Sequence, residues 1–152
     1  MKNIILIFLL LFLNSCGYTS IYKNQKSRDF QINIIDMSGD NEINNYIKNE
    51  LKFYSNRNSN NTHDISINSK YQKIIISKNS AGVATDYELL ANVIINVDLN
   101  DKISVLDFNE SINIKSNSNF FEQNNYERNI KKNFASSIVN KFKIRIFDLD
   151  DN

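Results

Sequence analysis

Cys16 is the only cysteine in the chain of 152 residues, and its thiolate is the one side-chain group able to form a thioether under mild conditions. It stands behind an unbroken apolar run, Ile4 to Leu13, which follows Met1-Lys2-Asn3 with its single side-chain cation. A basic n-region and an apolar h-region read as an export signal. The run is about half of the ~20 residues that a membrane-spanning helix needs. His63, the only histidine, lies beside Asp64 at the end of an Asn-rich loop and reads as a surface residue rather than a general base. Asp148, Asp150 and Asp151 make an acidic end that lacks the glycine turn and spaced ligands of a calcium loop. Lys131, Lys132, Lys141, Lys143 and Arg145 crowd the last helical stretch, where a helix dipole favours cations near the carboxyl end. Lys70, Lys73 and Lys78 flank Tyr71 and Ile74-Ile75-Ile76, combining cations that can face phosphates with side chains that can meet acyl chains. The competing reading of these lysines is a solvated strand edge on which Lys blocks aggregation. No nucleophile and base can be paired, so the expectation is a protein without catalytic residues, metal ligands or a cofactor.

These residues must be held by a small fold. With 41% hydrophobic and 23% charged residues, the chain suits one domain with a real core. Its 18 basic and 17 acidic residues leave a net charge of +1, which supplies no field to recruit nucleic acid. Proline is absent and glycine occurs three times, so turns must use Asn, Asp and Ser.

The element that organises the rest is Tyr87 to Leu99. Tyr87, Leu89, Ala91, Val93, Ile95, Val97 and Leu99 fall on one side of a pleat, and Glu88, Asn92, Asn96 and Asp98 on the other. Leu90 and Ile94 interrupt the polar side, which predicts that it is partly covered. Phe30, Ile32 and Ile34 give a first strand ending near Met37, and Asp40 or Asn41 can cap a helix carrying Ile43, Tyr46, Ile47, Leu51 and Tyr54. Ile65 and Ile67 open a second strand, with a slip of phase near Gln72. Asn100-Asp101 reads as a hairpin turn into a strand whose apolar positions shift from Ile103 and Val105 to Leu106, Phe108, Ile112 and Ile114. Ser116 to Gln123, bearing Phe120-Phe121, reads as a connection. Tyr126, Ile130, Phe134, Ile138 and Phe142 then repeat every four residues in a closing helix. The expectation is an α+β single domain: a mainly antiparallel four-stranded sheet with two amphipathic helices on one face, in the order β-α-β-β-β-α.

Leu13-Asn14-Ser15-Cys16 resembles the lipobox of bacterial lipoproteins. The resemblance implies a signal peptide over 1–15 that is removed, acyl chains on Cys16 as the only covalent group, a lipidated tether over 16–29, a domain over 30–147 and an acidic tail over 148–152. Several chains on one residue pass the two-signal threshold for stable anchoring. Gly17 stands where many enteric lipoproteins retained at the inner membrane carry Asp, which implies the outer membrane and its periplasmic side.

Three further features, Cys16-Gly17-Tyr18 with Ile21-Tyr22 close behind, Gly82-Val83-Ala84-Thr85-Asp86-Tyr87-Glu88-Leu89, and the amphipathic helix after Phe120-Phe121-Glu122, together resemble the LPS-assembly lipoprotein family (LptE) in its α-proteobacterial form. The chain departs from that family in carrying Thr19-Ser20 where members often have Pro, and in its few basic residues between Lys78 and Asp86. The family implies a plug and assembly partner inside a large outer-membrane β-barrel, LptD, that inserts lipopolysaccharide into the outer leaflet. It also implies lipopolysaccharide as a ligand, for which Lys70, Lys73 and Lys78 are the candidate contacts. The rival reading is a stand-alone periplasm-facing lipoprotein, either a pilot for a secretion channel or a general lipid binder.

Overall fold

The alternation around Tyr87–Leu99 builds the centre of a sheet. The computed structural model describes residues 30–55, 61–99 and 102–150, in the order β1 (Phe30–Gly39), α1 (Asn41–Ser55), β2 (Asn61–Lys78), β3 (Ala84–Leu99), β4 (Lys102–Lys115) and α2 (Phe120–Asp150). The expected β-α-β-β-β-α order of an α+β domain is therefore present. The strands form one sheet in the order β1-β2-β3-β4. β2–β3 and β3–β4 are antiparallel, whereas α1 carries the chain back so that β1 and β2 pair in parallel, making the sheet mixed.

Both helices cover one face. Leu89, Ala91, Val93, Ile95 and Val97 of β3 are buried in a single core with Ile43, Ile47 and Leu51 of α1 and with Ile130, Phe134, Ile138 and Phe142 of α2. Burial of each such side chain is worth about 1.5–3 kcal/mol. α1 starts where expected, because Asp40 Oδ1 accepts from the Ile43 amide at 2.9 Å as an N-cap.

Several expectations change. Leu90 and Ile94 do not mark a covered face: they lie opposite the helices, half-buried among cross-strand neighbours on the open side of the sheet. β2 runs regularly past Gln72, and its register with β3 shifts only beyond Ile75, between Ile75 and Ser77 and again between Ser77 and Lys78. β4 has no slip of phase at all. Its register with β3 is continuous from Asp86–Lys115 to Leu99–Lys102, so Leu106, Phe108 and Ile114 face the helices while Ile103 and Val105 face outward on the same regular strand.

His63 is buried rather than superficial, because β2 begins at Asn61 and places it in phase with Ile65 and Ile67, 6.1 Å from the Phe30 ring. α2 begins at Phe120, capped by Asn119, whose Oδ1 accepts from the Phe121 and Glu122 amides at 3.1 and 3.3 Å. It also continues through Asp148 to Asp150, so its last turn carries no cation and the dipole does not explain the basic residues of this helix. Cys16, the signal, the tether, the Asn100-Asp101 turn and Asp151 lie outside the described residues.

Candidate functional site

The three lysines singled out from the sequence go to three different places. Lys70 is on the open face opposite Asn92, at the border of a groove of about 270 Å³ lined also by Gln72, Leu90, Asn109 and Ser111. Lys73 points to the helix side, where it is bonded to Glu127 of α2 and lies 4.1 Å above the Tyr87 ring. Lys78 ends β2 opposite Ala84, past the bulge. Alternation separates Lys70 from Lys73, and the register shift separates both from Lys78.

What the fold does bring together is apolar. Ile74, Ile75 and Ile76 of β2, Val83 of the β2–β3 turn and Phe120, Phe121 and Tyr126 of α2 are each between 43% and 77% exposed. They share one end of the domain, because Asp86 pairs with Lys115 and the Ser116 amide donates to Thr85 O at 2.8 Å, which sets the start of α2 beside the hairpin. A cleft of about 570 Å³ opens there between the end of β4 and the first turns of α2, lined by Asn113, Lys115, Asn117, Gln123 and Tyr126. The exposed apolar side chains do not share one face: Ile74 pairs with Glu88 on the open side of the sheet and Ile75 with Tyr87 on the helix side, so they surround this end of the domain. The aromatic pair carried a signal of its own: Phe121 falls outside the four-residue repeat that runs from Tyr126 to Phe142.

The hairpin is stapled at its base. Thr85 and Ser77 hydroxyls are 2.6 Å apart, and both donate to Asp86 Oδ2. The Ser77 bond first and the Thr85 bond second hold the Asp86 carboxyl below its ordinary value, helped by the charge of Lys115. A depressed carboxyl contributes stability that is present above its unfolded pKa and lost as pH falls through the folded value. Ser77→Ala is therefore expected to raise the Asp86 pKa in an NMR titration and to move the onset of hairpin opening to higher pH; an unmoved titration would refute the staple.

A second polar group ties the helices to the sheet. Lys131 of α2 donates to Glu42 at 2.8 Å and to Asp40 at 3.2 Å, and its Nζ lies 4.2 Å from the centre of the Tyr71 ring. Burial alone would lower its pKa, but the bonds to Glu42 and Asp40 outweigh it and raise the value. Tyr71, for its part, is pushed well above the usual phenol range by desolvation, with the carboxylates of Glu127, Asp40 and Glu42 adding to it. Lys131 thus locks the amino end of α1 to the middle of α2, a positional role that the sequence pattern assigned to the helix dipole. Lys131→Met keeps the apolar stem and removes the charge from its two carboxylate partners. It is expected to cost about 1–2 kcal/mol in urea unfolding, below the ~3–5 kcal/mol of a fully buried pair because Glu42 is half-exposed.

The open face itself is a polar lattice. Asn92 Nδ2 donates to Asp107 at 2.6 Å and to Asn109 at 2.8 Å, Asn96 Nδ2 to Ser66 at 3.1 Å and Asn33 Nδ2 to Asp64 at 2.8 Å. Such cross-strand bonds let an uncovered sheet face stand in water. Nothing in this lattice brings a nucleophile to a base.

No family model matches the chain, and no curated protein matches it by sequence. Solved structures do. The rare lipoprotein B from Shewanella oneidensis superposes with a TM-score of 0.56 at 14% identity, over 78% of this chain and 99% of that one. A protein from Caulobacter crescentus designated a lipoprotein gives a TM-score of 0.53 at 13% identity, over 75% and 85% of the two chains. At these identities the likeness is one of architecture, and the β-α-β-β-β-α domain is a fold that this chain shares with bacterial lipoproteins.

Proposed function

We propose that this chain is a non-enzymatic lipoprotein of the outer membrane, anchored through acyl chains on Cys16 and facing the periplasm. It acts as plug and assembly partner of the lipopolysaccharide-inserting β-barrel, LptD, and so supports delivery of lipopolysaccharide to the outer leaflet. The observation that carries this reading is the exposed apolar end formed by Ile74–Ile76, Val83, Phe120 and Phe121, on a fold shared with lipoproteins. Such a surface needs a partner, and the lipid anchor would keep the domain at a high effective concentration beside one. The Cys16-Gly17-Tyr18 start, the Gly82–Leu89 segment, which leads from the turn into β3, and the helix after Phe120-Phe121-Glu122 support the choice of partner by resemblance. Lys70 and Lys78 are the proposed contacts for lipid phosphates, since the Lys73 ammonium is bonded to Glu127.

The test is to tag the carboxyl end, extract membranes in mild detergent and identify what co-purifies, with Cys16→Ala as control. A large outer-membrane β-barrel in near-equal amount is the expected result. A lipidated protein recovered alone would refute the plug and favour a secretion-channel pilot or a general lipid binder.

A further inference from the structure

The first turns of α2, residues 120–129, are held to the domain in a way that the rest of the helix is not. Beyond them Ile130, Phe134, Ile138, Phe142 and Ile146 are all buried in the core. Within them the one buried side chain is that of Gln123, while Phe120, Phe121 and Tyr126 are 77%, 72% and 51% exposed. Burial of an apolar stripe supplies most of the hold of an amphipathic helix on its sheet, so this stretch depends on polar contacts instead.

Those contacts form one chain. Lys73 of β2 is bonded to Glu127, whose Oε1 also accepts from Gln123 Nε2 at 2.7 Å, and Gln123 Oε1 accepts from the Asn117 amide at 2.8 Å. A second link, Arg128 Nε with Glu42 at 3.3 Å, is exposed on both sides, and such a pair contributes little. Glu127 is thus the point at which the stretch is fastened to the sheet. Its two flanks are fixed independently, Ser116 by its bond to Thr85 O, and Ile130 and Lys131 by the core and by Asp40 and Glu42.

We propose that residues 117–129 are a strap, tied at Ser116 and at Ile130 and latched by Glu127 on Lys73, which opens as one unit while the rest of the domain stays folded. Gln123 joins Asn117 to Glu127, so loss of the latch frees the connection and the first turns together. Turns of helix with no tertiary support are too short to persist alone, which makes the opening cooperative. Opening withdraws Gln123 and Tyr126 from the wall of the 570 Å³ cleft and uncovers Ile114, which lines it and is 5% exposed in the latched form. The apolar end then has a fixed part, Ile74, Ile75 and Ile76 on the hairpin, and a movable part that carries Phe120 and Phe121. The inference rests on the contacts of α2 rather than on the barrel reading, so failure to recover a barrel leaves it standing.

The test is native-state hydrogen exchange on the purified full-length protein in mild detergent. The amides of residues 123–129 should share one protection factor, at least ~100-fold below that of residues 134–146. Lys73→Met keeps the stem beside the Tyr87 ring and removes the ammonium from Glu127. It should speed exchange of residues 123–129 alike, by about tenfold, and leave β3 and residues 134–146 unchanged. Glu127→Gln neutralises the other side of the same bond, so it should give the same acceleration, and the two substitutions together no more than either alone. It also supplies the readout if Lys73→Met fails to fold. Protection that climbs residue by residue from Gln123 to Asn129 and ignores both substitutions is the ordinary fraying of a helix end and would overturn the proposal, as would protection equal to that of residues 134–146.

Discussion

Gly39→Ala is expected to destabilise the domain by about 3 kcal/mol or more, lowering the urea midpoint without changing the slope of the transition. Gly39 has a φ of +96°, which an L side chain adopts at a cost of roughly 1–2 kcal/mol. A Cβ there would also stand 1.7 Å from Ser69 O and 2.7 Å from Ser69 C, both backbone atoms of β2 that cannot swing away like a side-chain tip. Relief requires β1 to separate from β2 at the point where the Asp40 amide donates to Ser69 O at 3.0 Å. That movement also displaces Asp40, the N-cap of α1 and a partner of Lys131. A lost hydrogen bond and a lost cap are each worth about 1 kcal/mol, so the consequences add to the strain. Gly82 is the internal comparison. It has a φ of +79°, but nothing lies within 4 Å of an added Cβ, so Gly82→Ala should cost only the conformational term of about 1–2 kcal/mol. Equal midpoints for the two variants would mean that the β1–α1 corner yields at no cost.

One physical signal dominates where sequence and fold agree. β3 alternates because one of its faces is fully buried, and the periodicity of α1 and α2 reports the stripe each lays on that face. β4 misleads because both of its faces carry apolar side chains, and alternation cannot separate a slip of phase from a two-sided strand until the partner register is known. His63 reads as superficial for a related reason: the polar residues around it hide the fact that β2 already runs at Asn61. The start of α2 was available, since Asn119 with Glu122 three residues on is a helix-start pattern, although in the fold Glu122 Oε2 takes its bond from Asn117 instead. The lysine trio shows the limit of local spacing, because Lys70 and Lys73 are close in sequence and point to opposite faces. The apolar end was illegible for a different reason. Exposure of Ile74–Ile76, Phe120 and Phe121 depends on what fails to cover them, and that is settled by the lengths of the sheet and the helices rather than by any motif.

Phe142→Ala is expected to have an effect of similar size, about 3–5 kcal/mol, because Phe142 is fully buried and the surrounding core can only partly close the cavity. Its particular importance lies in what it joins. The Phe142 and Phe108 rings meet edge to face, with centroids 6.5 Å apart and planes at 87°. Beside them, Glu110 of β4 accepts from Ser137 at 2.7 Å and from Lys141 at 2.6 Å. Lys141 is half-exposed, so its pair with Glu110 contributes at most about 1 kcal/mol. Apolar contact must therefore supply most of the attachment of β4 to α2. A double-mutant cycle with Phe108→Ala should then show a coupling of about 0.5–1.5 kcal/mol between the two rings, the range for edge-to-face pairs. Hydrogen exchange should show the amides of β4 losing protection before those of β3 in Phe142→Ala, because β3 remains paired with β2 on its other side. A coupling near zero, or simultaneous loss of protection in both strands, would show that β4 is held by its backbone ladder to β3 alone and that α2 covers it without anchoring it.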